Sequence, residues 1–283
     1  MQRTCFAILL LSALLPAQPQ RIISTSPSIT EILYALDLGN QVAGVTEYCH
    51  HPPEAKSKPK VGSFIQPNLE TIASLRPHLV IIQKNPIQLE SKLARLNLET
   101  LEVDYGSVDQ VFESIARIGQ AAGVSNRAEL LNRKLRLELD QVRRATASRP
   151  RRPMTFIVGR TPGKIEGLIA VGSASYLRDL IQIAGGRNVF EDATGAYPQI
   201  TLESLVARNP DVILDMGDTM GSPEETKRKR EAILALWATF PVLKALRDRQ
   251  VHPIFENIFV VPGPRVAEAA RAFARLLHPG SIP

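Results

Sequence analysis

Ser125 to Thr146 reads SNRAELLNRKLRLELDQVRRAT, and in it Ala128, Leu131, Leu135, Leu139, Val142 and Ala145 recur at steps of three and four. That spacing predicts one long helix with a single apolar stripe. Arg133, Lys134, Arg136, Asp140, Arg143 and Arg144 cover most of the remaining circumference. Ser125 or Asn126 is placed to cap its start, Glu129 falls in its first turn, and Arg149-Pro150-Arg151-Arg152-Pro153 stops it. At about 1.5 Å per residue the span measures roughly 30 Å, the width of a small domain. A helix buried along one side is either an ordinary surface helix or a strut between two lobes.

A repeat on either side of it favours the strut. Asn68 to Ile82 reads NLETIASLRPHLVII, and Thr201 to Leu214 reads TLESLVARNPDVIL. Placing Leu69 on Leu202, an offset of 133 residues (202 − 69), also aligns Glu70 with Glu203, Thr71 with Ser204, Ile72 with Leu205 and Pro77 with Pro210. Each copy predicts a short helix ending just before proline, which disfavours helical geometry in the residue it follows, and then a buried strand. Two copies are too few for a solenoid and imply two similar lobes.

The chain has 283 residues, 44% hydrophobic and 22% charged, a composition fit for well-packed globular lobes. Residues 1–17, MQRTCFAILLLSALLPA, carry Arg3, an apolar run too short to span a bilayer and a small residue at Ala17, the pattern of a cleaved signal peptide. Removal of that leader leaves Cys49 alone, so the expected exported chain has no internal disulfide. The net charge of +6 is dispersed over helix faces. Its dense clusters, Arg149 to Arg152 and Lys227 to Arg230, lack interleaved aromatics, which argues against nucleic acid as a partner. The expected organisation is a leader at 1–17, a first α/β lobe at 18–124, the linking helix at 125–149 and a second lobe at 150–283.

Strands are predicted at Arg21–Ser24, Val42–Val45, Leu79–Ile82, Thr100–Val103, Met154–Val158 and Val251–Ile254. Helices are predicted from Pro27 with a Ser28/Glu31 capping box and a stop at Gly39, from Ile87 to Leu96, and from Ser107 to Ala122. Further helices are expected at Tyr176–Ala184, Pro223–Thr239 and Val266–Leu277. The alternation predicts parallel sheets covered on both faces, with Trp237 in a core. The long loop TEYCHHPPEAKSKPKVGSFIQPN carries Tyr48, Cys49, His50, His51, Phe64 and Gln66, and loops of that length tend to be functional.

The leader, IISTSPSITEILYALDLGNQVAGVTEYCHHPPEA, the two LES/LET repeats, AGGRNVF and the late PGPR together resemble the extracytoplasmic substrate-binding proteins of ABC importers for cobalamin, haem and ferric siderophores. Within that group the Tyr48-Cys49 loop and YPQI at 197–200 are most similar to vitamin B12-binding proteins. The resemblance implies an α/β fold of two similar lobes, each a mainly parallel sheet flanked by helices, joined by one long rigid helix. It implies a periplasmic or extracytoplasmic monomer that takes a ligand between its lobes to a membrane permease dimer. It places Tyr48 against a corrin ring, puts Asn257 to Val261 on a ligand-touching loop, and makes Glu70 and Glu203 a pair of carboxylates that dock on the permease.

A large flat ligand needs broad apolar contact and a few polar anchors. The candidates are Tyr48, Cys49, His50, Phe64, Gln66, Tyr197, Gln199, Asn257, Ile258 and Phe259, with Phe255 beside them. His50 or His51 could ligate the metal of a bound corrinoid or haem. Consecutive histidines seldom address one ion, however, and no further His or Cys stands at tetrahedral spacing, so no protein-held metal and no resident cofactor are expected. The chain lacks GxSxG, Walker A and GxGxxG motifs, which argues against an enzyme; a metal-dependent hydrolase built on His50 is the remote alternative.

Overall fold

A computed structural model describes residues 19–84, 88–216 and 223–281; the expected leader and Ile87 lie outside these. The first half runs β1 (Ile22–Ser24), α1 (Pro27–Ala35), β2 (Val42–Gly44), α2 (Leu69–Ser74), β3 (Leu79–Gln83), α3 (Leu89–Ala94), β4 (Thr100–Val103) and α4 (Val108–Ala121). Then comes α5 (Ser125–Thr146), with the bounds its stripe predicts. The second half runs β5 (Arg152–Gly159), β6 (Leu168–Ala170), α6 (Tyr176–Ile183), β7 (Gly186–Asn188), β8 (Gln199–Ile200) and α7 (Leu202–Arg208). It closes with β9 (Val212–Met216), α8 (Pro223–Trp237), α9 (Lys244–Arg247), β10 (Val251–Ile254) and α10 (Val266–Leu277).

The first half forms a four-stranded sheet in the order β2-β1-β3-β4, parallel throughout. In the second, β10, β9, β5 and β7 are parallel. The sheet is mainly parallel, as the resemblance implies, with antiparallel strands at one edge that the alternation alone does not predict. β6 pairs antiparallel with β5 and β8 antiparallel with β6, adding a meander that two short strands without alternation did not announce.

The repeat survives in detail. α2 and α7 begin 133 residues apart, as do β3 and β9. Asn68 caps α2 by accepting from Thr71 N–H, and Thr201 caps α7 by accepting from Ser204 N–H. Arg76 and Asn209, each preceding its proline, take the left-handed conformation at φ 47° and 40°. Other caps differ from expectation. Ser26 rather than Ser28 caps α1, because Pro27 already occupies the first turn, and the helix closes at Leu36 rather than at Gly39. Val124 starts α5 without a side-chain cap, and Glu129 lies beyond its first turn, paired with Arg133 instead.

Each sheet has an outer and an inner face. The outer face of the first packs Ile23, Val80 and Ile82 on Ile72 of α2 and on Leu89 and Leu93 of α3. On the second, Ile157 and Ile213 pack on Leu205 of α7 and on Ile233 and Trp237 of α8. Trp237 is fully buried, as expected, and its Nε1–H donates to Asp215 at 2.6 Å while Arg160 Nε donates to the same oxygen at 2.8 Å. The inner faces meet in one continuous core that includes Ile22, Ile81, Phe156 and Leu214 together with α1, α4, α5, α6 and α10. Ala128, Leu135, Leu139 and Val142 bury the stripe of α5 in that layer, so the strut is one member of a shared wall of helices.

Candidate functional site

In α/β sheets the loops after the carboxyl ends of strands gather ligands. Here Gln83, Asp104 and Tyr105 end β3 and follow β4, while Ser175 caps α6 and Val260 follows β10; all line one cavity of 330 Å³ between the lobes. Pro27 and Ser28 of α1, with Tyr176 and Tyr197 of the second lobe, complete its wall. Tyr105 and Tyr176 are buried, and burial pushes both phenols well above their ordinary pKa. They therefore stay neutral, and Tyr176 donates its hydroxyl hydrogen to the Phe259 carbonyl at 3.0 Å. A second groove, of 470 Å³, has His50 and Lys56 on one side and Phe255, Asn257 and Ile258 on the other.

The lobes also touch through polar contacts. Arg265, just before α10, donates from Nε to Glu31 of α1 at 2.8 Å and from its other prong to the second carboxylate oxygen. The same guanidinium donates to Asn257 Oδ1 at 3.2 Å. Asp179 of α6 accepts from the Val108 N–H at the start of α4, at 3.0 Å.

The expected site residues divide. Tyr197 lines the cavity, and His50, Asn257, Ile258 and Phe255 line the groove. Tyr48 is 61% exposed in the loop after β2, Phe64 is half-buried, and Gln66 and Gln199 are exposed. Two residues do not face the cleft. Cys49 is fully buried, its Sγ within 3.1 Å of the Thr30 and Thr46 hydroxyls, and burial pushes its thiol pKa up. Phe259 is 2% exposed and packs edge-on against Phe156 and Phe273. Both sit in loops by sequence, yet their side chains serve the core. The histidine pair separates as well: His51 lines a different cavity, with Tyr34 and Glu54, and among the described residues no cluster of His, Cys, Asp and Glu is arranged to hold a metal ion. Glu70 and Glu203 are exposed in the first turns of α2 and α7, and hydrogen bonds from its own N–H and from Thr201 hold the Glu203 carboxyl below its ordinary pKa.

Gln83, Asp104, Tyr105, Ser175 and Tyr176 escaped the sequence reading, although the strand-end rule points to the first three. Ile65 escaped too, at 65% exposure between Phe64 and Gln66 on a turn closed by the Gly62–Pro67 bridge. Among the described residues no helix is long and apolar enough to cross a membrane.

The family model described as "Periplasmic binding protein" matches residues 22–254. A vitamin B12-binding protein of Photorhabdus laumondii is 27% identical over 264 residues, covering 93% of this chain and 89% of its own. An uncharacterised ABC transporter substrate-binding lipoprotein of Bacillus subtilis is 28% identical over 273 residues, covering 94% and 82%. Among solved structures, a periplasmic haem-binding protein of Roseiflexus superposes with a TM-score of 0.76 at 25% identity, covering 92% of this chain and 99% of its own. The periplasmic vitamin B12-binding protein of Vibrio cholerae, at 24% identity and a TM-score of 0.77 over 92% of this chain and 97% of its own, shares the fold. With two lobes around a cleft and a family match across both, the chain belongs to the periplasmic binding protein family, whose members are transport substrate-binding proteins rather than enzymes.

Proposed function

We propose that the chain is the extracytoplasmic substrate-binding protein of an ABC importer, working as a monomer that holds a cobalamin-like corrinoid between its lobes. One observation carries this reading. The cleft is walled from both lobes mostly by aromatic, aliphatic and neutral polar groups, with the Asp104 carboxylate among them. Tyr197 and Val260 of that wall are 47% and 42% exposed, and Tyr48 and Ile65 of the loop after β2 are 61% and 65% exposed. Exposed large apolar side chains in loops at one end of both sheets suit a bulky, flat, mostly apolar ligand. Ser28, Gln83 and Ser175 supply neutral polar anchors, which suit amide side groups around a macrocycle. The B12-binding relatives give the same direction. Haem is the second reading, favoured by His50 on the wall of the 470 Å³ groove, where an imidazole could meet an iron. A ferric siderophore is the third ligand class of the resembled group.

Titration of the purified protein with cyanocobalamin, haemin and a ferric hydroxamate in parallel tests the assignment. One-to-one binding of cyanocobalamin is the expected result, and preference for haemin or the hydroxamate would replace it. Glu70 and Glu203, one per lobe on equivalent helices, are proposed to dock on a two-fold permease, each meeting one copy of a basic pocket. Glu70→Ala with Glu203→Ala should leave ligand affinity intact and weaken capture by permease-containing membranes; the reverse pattern would refute the docking role.

A further inference from the structure

The wall of the 330 Å³ cavity runs at both ends into a contact between the lobes. At Pro27, Ser28 and Pro262 it reaches the Glu31–Arg265 pair, and at Gly106 and Ser175 it reaches the Val108–Asp179 hydrogen bond. We propose that these two contacts are clasps that set the aperture of the cleft, making Glu31, Arg265 and Asp179 positioning residues for the ligand. The proposal rests on the cleft being the ligand site.

Each clasp is costly to open. The Glu31 side chain is 3% exposed and that of Arg265 17%, so drawing the lobes apart here would leave a carboxylate buried in α1 without its partner. The pair is two-pronged, which fixes orientation as well as distance, and Arg265 holds Asn257 of the groove wall with its remaining N–H groups. Pro262-Gly263-Pro264 lies flat against α1: a Cβ on Gly263 would stand 3.5 Å from the Ser28 carbonyl oxygen. At the other end Val108 is the first residue of α4, and Asp179 takes one of the N–H groups that a helix start leaves unpaired, at the pole where negative charge is favoured. Apolar packing in the shared helical layer is non-directional and tolerates small sliding, whereas these contacts do not. The long helix alone does not fix the angle between the lobes.

The test combines Glu31→Ala with Asp179→Ala, which removes both acceptors, and reads small-angle scattering of the ligand-free protein alongside titration with cyanocobalamin and haemin. The double variant should show a broader distribution of lobe separations. If the binding-competent aperture falls to about one tenth of the population, the apparent Kd for the probe that the native protein binds rises about tenfold. Exchanging the charges as Glu31→Arg with Arg265→Glu should recover part of the native scattering profile, which a purely stabilising role would not produce. Should the double variant fold poorly, Arg265→Lys keeps the charge, drops the two-pronged geometry and is expected to widen the distribution less. A scattering profile identical to the native one in the folded variants, even with a lowered Tm, overturns the proposal. If the native protein binds neither probe while the variant still widens, the corrinoid and haem readings fail and the clasps stand.

Discussion

On the outer face of the first sheet, the positions equivalent to Thr155 and Asp215 of the second are held by Ile23 and Ile82. On the opposite face Leu101 of β4 answers to His252 of β10. One lobe is therefore aliphatic where its twin buries polar groups. In the second lobe Asp215 is fully buried and gathers Arg160, 10% exposed, and the indole N–H of Trp237, while its other oxygen has no partner among the described residues. Such a group is costly to desolvate and is held by its partners, so it locks the ends of β5, β9 and α8 into one geometry. The same backbone tolerates either solution. What differs is how the outer face of each sheet is held: the first by packing volume, the second by a directional ionic triad.

The largest way to break this comparison is Asp215→Ala. It leaves the Arg160 Nε–H and the Trp237 N–H without their carboxylate acceptor and should cost about 3–5 kcal/mol in chemical denaturation. Trp237→Phe, which removes one donor and part of a buried ring but leaves the carboxylate paired with Arg160, should cost less, about 1–3 kcal/mol; equal losses would mean that the carboxylate does not organise the triad. Tyr48→Ala and Tyr197→Ala, one aromatic from each lobe, should each weaken cyanocobalamin binding by about 1–3 kcal/mol in calorimetry. An effect confined to one would show that a single lobe holds the ligand. Asn68→Ala and Thr201→Ala remove equivalent helix caps and should each cost about 1 kcal/mol, so a clear inequality in their denaturation midpoints would separate the two copies.

The smallest expected effect is a slope. Burial, more than its partners offset, raises the Asp215 carboxyl above its ordinary pKa. Between its unfolded and folded pKa values the native state then holds a proton that the unfolded chain has lost. The stability this group contributes is complete below the unfolded value and is lost as pH rises through the folded one. Asp215→Asn should flatten that part of the stability curve, and an unchanged slope would show that the buried oxygen does not titrate as described.

The repeat was legible because LET and LES, with their prolines, encode caps, a helix stop and a strand within fifteen residues, and local chemistry settles all three. The stripe of α5 was legible because its period extends over 22 residues. The meander was not, since Leu168–Ala170 and Gln199–Ile200 are too short to show alternation and are placed by the pairing of β5 with β6. The site was read in part. Loop membership marked Tyr197 of the cavity and His50 and Asn257 of the groove, but it could not reveal that Cys49 turns inward to Thr30 or that Phe259 joins Phe156 and Phe273. Those outcomes depend for Phe259 on Phe156, 103 residues earlier (259 − 156), and for Cys49 on which side of a loop meets the sheet.

Because α1, α4, α5, α6 and α10 share a single interior, neither half of the chain owns a complete one. A backbone cut at the exposed Ser148–Arg149 junction would leave two fragments with matching greasy flanks, each insoluble by itself and able to recover its shape only by finding the other. Evolution could double the blueprint, but what it built from the copies cannot be divided again along the same seam.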